Sequence, residues 1–241
     1  MVETPSPNFN ERLHPLDMLV LHYTGMKDGP TALARMCDPA SEVSAHYMVE
    51  EDGTVFALVA EDKRAWQAGK SAWRGDDDLN SRSIGIEIVN GGHEHGLPPY
   101  PDVQIDAVIE LCRGILSRWP IPPNRIVAHS DIAPDRKEDP GELFPWKELA
   151  AAGIGLWPDL PPSEPMAPIG LRPGDRGDQV IRLQRHLVAI GYRLDLSGRF
   201  DAATEAVVRA FQRRWRPASV TGQGDLATVV WVEAVAKLAN A

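Results

Sequence analysis

The pattern of apolar and polar positions predicts an α/β fold for the first two thirds of the chain. Two β-rich runs within residues 44–61 enclose Asp52-Gly53, a dipeptide typical of tight hairpin turns. Apolar residues recur on one helical face between residues 101 and 119. Compact apolar runs, typical of buried strands, occur at residues 17–24, 83–89 and 125–129. Strands and helices are interleaved, so we expect a sheet with helices packed against it.

The pattern changes after residue 156. Prolines concentrate in residues 157–173, a composition typical of a semi-rigid linker. Amphipathic helices are predicted beyond it, at residues 178–190, 201–215 and 225–238. The chain is therefore predicted to divide into a domain over residues 1–156, the linker, and a small three-helix domain over residues 174–241.

Composition and charge narrow the possible functions. The 241 residues are 43% hydrophobic and 24% charged, which argues against global disorder. The formal charge of −9 argues against sequence-independent binding to nucleic acid, which needs clustered Lys and Arg. The basic cluster at Arg209, Arg213, Arg214 and Arg216 is interpreted as a solvated helix face.

Compartment is predicted from targeting signals and cysteines. The polar, Pro-rich N-terminus has no secretory pattern, and no apolar stretch approaches a membrane span. Two cysteines make no disulfide framework, and Cys112 is interpreted as core packing. We therefore expect a cytoplasmic protein. A chain whose signal had been removed would look the same, and would be periplasmic or extracellular.

Polar residues that interrupt or end the predicted strands suggest a metal site. His129 ends one strand, and the loop after it brings Asp139 ten residues later, with Lys137 nearby. His22 ends the first strand in the same way. Two His and one Asp with an open fourth position suit catalytic zinc. A solvated loop and a structural His22 are the alternatives.

Glu87 interrupts the apolar run of residues 83–89. A buried carboxylate needs a partner, so Glu87 is paired, exposed in a cleft or protonated. Beside a zinc site, Glu87 would serve as general base and Lys137 would stabilise an oxyanion, which together suit amide hydrolysis. Residues 91–95, Gly-Gly-His-Glu-His, look metal-binding, but a surface loop is the favoured interpretation.

The chain resembles the N-acetylmuramoyl-L-alanine amidase type 2 family in five motifs. They are LHYT at 21–24, SAHYMVEEDGTVFALV at 44–59, AWQAG at 65–69, SIGIEI at 83–88 and AHSDIAPDRKEDPG at 128–141. The resemblance covers residues 14–149 and implies a mixed central sheet flanked by helices. It also implies zinc held by His22, His129 and Asp139, with Glu87 and Lys137 catalytic. Gln67 departs from the family, which commonly has His in AWHAG.

The resemblance implies cleavage between the lactyl group of N-acetylmuramic acid and L-Ala of the stem peptide, with muropeptides as binding partners. Contacts to the substrate are predicted for Tyr23, His46, Trp66 and Ala133. Recycling of anhydro-muropeptides and turnover of intact wall are both open, and recycling is favoured. A non-catalytic muropeptide sensor and a zinc peptidase of another specificity are the alternative functions.

The tail resembles a three-helix peptidoglycan-binding domain. The similar segments are residues 174–192, 198–212 and 221–228, although the last lacks the usual Asp-Gly repeat. The resemblance implies affinity for the cell wall, and a docking or dimer surface is the alternative.

Overall fold

The computed structural model describes residues 1–160 and 170–241. The strands are β1 (Val2–Glu3), β2 (Phe9–Glu11), β3 (Met18–Tyr23), β4 (Tyr47–Val49), β5 (Val55–Ala57), β6 (Lys63–Ala65), β7 (Ser83–Ile88), β8 (Ile126–Ala128), β9 (Gly170–Leu171) and β10 (Gly224–Asp225). The α-helices are α1 (Gly29–Cys37), α2 (Leu79–Arg82), α3 (Asp102–Arg118), α4 (His129–Ile132), α5 (Trp146–Ala151), α6 (Asp178–Ile190), α7 (Ala202–Trp215) and α8 (Leu226–Leu238).

A six-stranded mixed sheet forms the centre of the fold, in the order β1-β5-β4-β7-β3-β8. Only the hairpin pair β4–β5 is antiparallel in this sheet, and the other neighbours run parallel. Two small antiparallel pairs, β2–β6 and β9–β10, lie outside it. The predicted α/β fold with a mixed central sheet is confirmed, together with the hairpin around Asp52-Gly53.

Alternation along the strands gives the sheet two apolar faces. Leu19 and Leu21 of β3 point to the face covered by α3, and pack in one buried cluster with Val108, Cys112 and other apolar residues of that helix. Cys112 is fully buried, as predicted. The long helix α3 therefore holds the sheet from one side and leaves the other face for the remaining elements.

The opposite face of the sheet is covered by two different parts of the chain. The helix α1 packs there against Met48 of β4. Val20 of β3 and Val127 of β8 belong to an apolar cluster that continues into the C-terminal helices through Leu187 and Phe211. The C-terminal helices therefore share a hydrophobic core with the sheet.

Three helices, α6, α7 and α8, make up the C-terminal unit, as predicted. Asp201 caps α7 by accepting the backbone N–H of Thr204 at 2.9 Å, and α6 ends at Gly191. Trp157, the first residue of the predicted linker, packs against Trp215 and Trp231. Linker residues 161–169 lie outside the described residues, so the predicted domain division remains a prediction.

The basic cluster of the tail is not a solvated helix face, and that interpretation was wrong. Arg214 and Arg216 are buried, and Arg213 is largely covered. The side chains pair with carboxylates: Arg209 with Glu205, Arg213 with Glu138, Arg214 with Asp131, and Arg216 with Asp225. Within residues 1–160 and 170–241, no helix is long and apolar enough to cross a membrane.

Candidate metal centre and active site

The parallel strands of the sheet bring the polar residues together at one edge. His22 of β3 lies opposite Glu87 of β7 in the strand register, so both side chains leave the same face. Ala128 of β8 lies opposite Leu21, which places His129 next to His22. The carboxyl ends of parallel strands are the usual place for a site in α/β proteins, because the loops that follow them meet there.

His22, His129 and Asp139 form a compact buried cluster. The Nδ1 atoms of His22 and His129 are 2.9 Å apart, and Asp139 Oδ2 lies 3.0 Å from each of them. The backbone N–H of Ser130 donates to the carbonyl of Asp139 at 3.0 Å, which closes the loop and returns the carboxylate to the histidines. Among the described residues, these three side chains are close enough together to hold a metal ion.

The outer nitrogens of both histidines bind acceptors. His22 Nε2 lies 2.5 Å from Gln67 Oε1, and His129 Nε2 lies 3.2 Å from the carbonyl of Ala68. Both Nε2 atoms must therefore carry the proton, which leaves the Nδ1 lone pairs facing each other and Asp139. A cation between these three atoms would satisfy all of them, and outer partners of this kind are typical of metal-bound histidine.

Charge in the cluster favours a cation at its centre. Burial opposes a charge on His22, but the carboxylates of Glu87 and Asp139 outweigh it and raise the pKa of His22. Burial lowers the pKa of His129 to about 4, so that imidazole is neutral, as a metal ligand must be. Burial alone would raise the pKa of Asp139, yet the two histidines hold it below its usual value.

Glu87 lies beside this cluster with a free oxygen. Its Oε2 is shielded from solvent and has no hydrogen-bond partner in the described residues. Burial raises the pKa of Glu87 to about 7, and Asp139 adds to this effect against the opposing charges of His22 and Lys137. A carboxyl group with a pKa near neutrality can exchange protons at physiological pH, which is the requirement for a general base.

A cavity of about 560 Å³ opens onto the cluster. Its wall includes Glu87 and Lys137, and the predicted contacts Tyr23 and Trp66 also line it. The volume lies in the range of small-molecule sites. The residues Tyr23, Trp66, Glu87 and Lys137, which lie far apart in the sequence, therefore line one cavity.

Two predicted substrate contacts do not reach this cavity. His46 is fully buried, and its Nδ1 accepts the backbone N–H of Gly85 at 3.0 Å while Nε2 lies 3.0 Å from the carbonyl of Lys63. Ala133 is also buried, and its backbone carbonyl accepts the backbone N–H of Lys137 at 3.0 Å. Neither residue is among those that line the cavity, so neither is placed to touch a substrate there.

His93 lines the cavity, although its segment, residues 91–95, was interpreted from the sequence as a surface loop. Its Nδ1 lies 3.0 Å from the Tyr23 hydroxyl, and its Nε2 lies 2.9 Å from Glu142 Oε2. The glycines that precede His93 are the sequence feature that could have indicated its place. A Cβ at Gly92 would lie 2.6 Å from the Tyr23 ring, so only glycine fits there. The glycine lets the loop approach Tyr23 closely and turns His93 towards the cavity.

The carboxyl edge of the mixed sheet thus brings together two histidines and a glutamate, and the loop after β8 adds an aspartate, which makes a group that could hold a metal ion in an α/β protein. A family model described as N-acetylmuramoyl-L-alanine amidase matches residues 12–142, and one described as "Putative peptidoglycan binding domain" matches residues 176–231. The chain belongs to the N-acetylmuramoyl-L-alanine amidase family and is an enzyme of that family, which confirms the predicted resemblance and activity.

Relatives match over both parts of the chain. The N-acetylmuramoyl-L-alanine amidase AmiD of Escherichia coli (strain K12) is 37% identical, over 91% of this chain and 82% of AmiD. The solved complex of E. coli AmiD with anhydro-N-acetylmuramic acid-L-Ala-D-gamma-Glu-L-Lys is similar with a TM-score of 0.79 and 33% identity, covering 96% of this chain and 98% of the solved chain. The solved complex of AmpDh3 from Pseudomonas aeruginosa with anhydromuramic pentapeptide is similar with a TM-score of 0.78 and 34% identity, covering 96% of this chain and 93% of the solved chain.

Proposed function

We propose that this enzyme is a zinc-dependent amidase that hydrolyses the bond between the lactyl group of N-acetylmuramic or anhydro-N-acetylmuramic acid and L-Ala. The observation that carries the proposal is the cluster of His22, His129 and Asp139, of which His129 and Asp139 line the same cavity as Glu87. A non-catalytic sensor would not need this combination of three converging donors and a free carboxylate.

The donor set fits zinc. Two imidazole nitrogens and one carboxylate oxygen are a common catalytic combination, and both imidazoles direct Nδ1 at the same point. When bound there, zinc supplies Lewis acidity, which polarises a carbonyl and makes water a stronger acid. The chain holds the three donors in place through Gln67 and Ala68 and through the Asp139 backbone.

Glu87 and Lys137 perform the proton transfer and charge stabilisation in this proposal. Glu87 Oε2, which has no partner in the described residues, takes the proton of the attacking water and delivers it to the leaving amine of L-Ala. Lys137, on the cavity wall, stabilises the negative charge that develops on the carbonyl oxygen. The proton delivered by Glu87 is needed because an amine leaves only after it is protonated.

We propose anhydro-muropeptides as the substrates. The relatives described above were solved with an anhydromuramyl peptide bound. The cavity wall contributes Arg35, Arg136 and Lys137, which suit the carboxylates of a stem peptide, and the half-buried Trp66 presents a flat face to a sugar. Recycling of such fragments in the cytoplasm is consistent with the unpaired Cys37 and Cys112.

The test is cleavage of a purified anhydromuramyl tripeptide, followed by mass spectrometry of the products. We expect free anhydro-N-acetylmuramic acid and intact tripeptide, with cleavage abolished by a chelator and restored by zinc. A His129→Ala variant should neither bind zinc nor cleave. Release of a shorter peptide would instead identify a peptidase, and chelator-resistant cleavage would contradict the role of the metal.

A further inference from the structure

The C-terminal helices contact the loop that carries two of the three proposed zinc ligands. This ligand loop, residues 129–139, begins with His129 and ends with Asp139. Contacts reach it from α7 and from Tyr192, which follows the end of α6. The contacts are buried and specific, unlike those of a module that is merely tethered.

Asp131 is the centre of the contact. Its Oδ2 accepts the backbone N–H of Ala128 at 2.9 Å and Arg214 Nη1 at 2.7 Å, and its Oδ1 accepts the Tyr192 hydroxyl at 2.6 Å. Asp131 is 1% exposed, so these three donors replace the water that the carboxylate would otherwise bind. Because Ala128 directly precedes His129, the bonded carboxylate fixes the turn on which His129 stands.

Arg214 is itself held in a single position. Its Nη2 donates to the carbonyl of Ile126 in β8 at 3.0 Å. The guanidinium stacks over the Trp146 ring at 4.0 Å and the Trp215 ring at 4.5 Å. One side chain of the C-terminal domain thus fixes both the last strand of the sheet and the residue that braces His129.

The other end of the ligand loop is held by the preceding arginine. Arg213 pairs with Glu138, the neighbour of Asp139. Two consecutive residues of α7 therefore bind the two ends of the ligand loop. Ser130 and Asp139 are joined directly by the backbone hydrogen bond between them, so the two ends cannot move independently.

We propose that Tyr192 and Arg214 are positioning residues of the metal centre, acting on His129 through Asp131. The C-terminal helical domain is then a structural part of the zinc site, whether or not it also binds the cell wall. This inference rests on the proposed zinc amidase function. Loss of a group bonded directly to a metal ligand typically lowers metal affinity about 10- to 100-fold, and we expect Tyr192 and Arg214, which act one step further out, at the lower end of that range.

The test compares zinc affinity in full-length variants by competition with a chromophoric chelator. Tyr192→Phe removes only the hydroxyl, and Arg214→Lys keeps the charge but loses the forked geometry. Tyr47→Phe is the matched control, because its hydroxyl also donates to a carboxylate, Glu61 Oε1 at 2.8 Å, away from the ligand loop. Circular dichroism establishes that each variant is folded.

We expect Tyr192→Phe and Arg214→Lys to bind zinc about 10-fold more weakly or worse, and Tyr47→Phe to match the parent. Amidase activity of the two variants should recover when zinc is raised to saturation, because the defect lies in holding the metal. Unchanged zinc affinity in both folded variants would overturn the inference and leave the proposed function intact. A parent chain that binds no zinc would refute the proposed function itself, and the inference with it.

Discussion

Gln67 is expected to set the zinc affinity of His22. Its Oε1 lies 2.5 Å from His22 Nε2, and its own amide donates to Ser83 Oγ at 2.6 Å, so the acceptor has one orientation. Gly85 packs directly against it, and a Cβ there would lie 2.6 Å from Gln67 Cγ. Space exists for an unbranched side chain, and Gln67→Met is therefore the variant that removes the acceptor without a clash.

The expected loss follows from the buried His22 Nε2–H. Without Gln67 that donor is unsatisfied, at a cost of about 1–3 kcal/mol, and the alternative tautomer would occupy the Nδ1 lone pair that the metal needs. A loss of this size corresponds to about 10- to 100-fold in zinc affinity, which is also the usual effect of removing an outer partner of a metal ligand.

The assay is chelator competition on the folded variant, beside Gln184→Met as a control. Gln184 is also a buried glutamine, whose amide donates to the Arg199 carbonyl and to Thr204 Oγ1 at 3.0 Å within the helical domain. Both variants should lose conformational stability, but only Gln67→Met should lose zinc affinity. Equal zinc affinity in Gln67→Met and the parent would refute the reasoning about the His22 tautomer.

Three further outcomes are expected. Glu87→Gln should lower kcat about 10²- to 10⁴-fold with one zinc retained, because only the proton acceptor is lost; lost zinc would show a structural role instead. Lys137→Met should lower kcat about 10²- to 10³-fold with little change in KM, and a pure KM effect would assign Lys137 to ground-state binding. Burial and the charge of Arg12 lower the pKa of His46 to about 3, so between pH 6.5 and 3 the unfolded chain binds a proton that the native chain does not. The free energy of unfolding should therefore fall with decreasing pH in that window, by up to about 1.4 kcal/mol per pH unit. When it is measured by urea unfolding at a series of pH values, His46→Asn should show a weaker dependence on pH than the parent.

The sequence alone was sufficient to predict the candidate site residues that stand at the ends of strands. His22, Glu87 and His129 each stand at or near the carboxyl end of an apolar run, and parallel strands must bring such ends to one edge. The apolar pattern also predicted the strands β3, β7 and β8 and the helix α3, because in these elements it is long enough to be unambiguous. Short edge strands such as β1 and β2 carry no such periodicity and were missed.

Contacts between distant segments were not predictable in this way. The arginines of α7 have the spacing of an exposed helix face, and only the fold reveals that Arg213 and Arg214 point at carboxylates of the ligand loop. His46 directly precedes β4, and its imidazole is turned into the core, where it bonds to backbone groups of Lys63 and Gly85. The periodicity of a segment predicts which of its faces is buried, but it does not predict which residues that face will contact.

Titration of the metal-free enzyme with zinc tests the central claim most directly. Hydrolysis of an anhydromuramyl tripeptide should be absent at the start, rise linearly with added zinc, and reach a plateau at about one equivalent per chain, as expected for one ion held by His22, His129 and Asp139. Full activity before any zinc is added would contradict the account, as would zinc binding to His129→Ala with unchanged affinity.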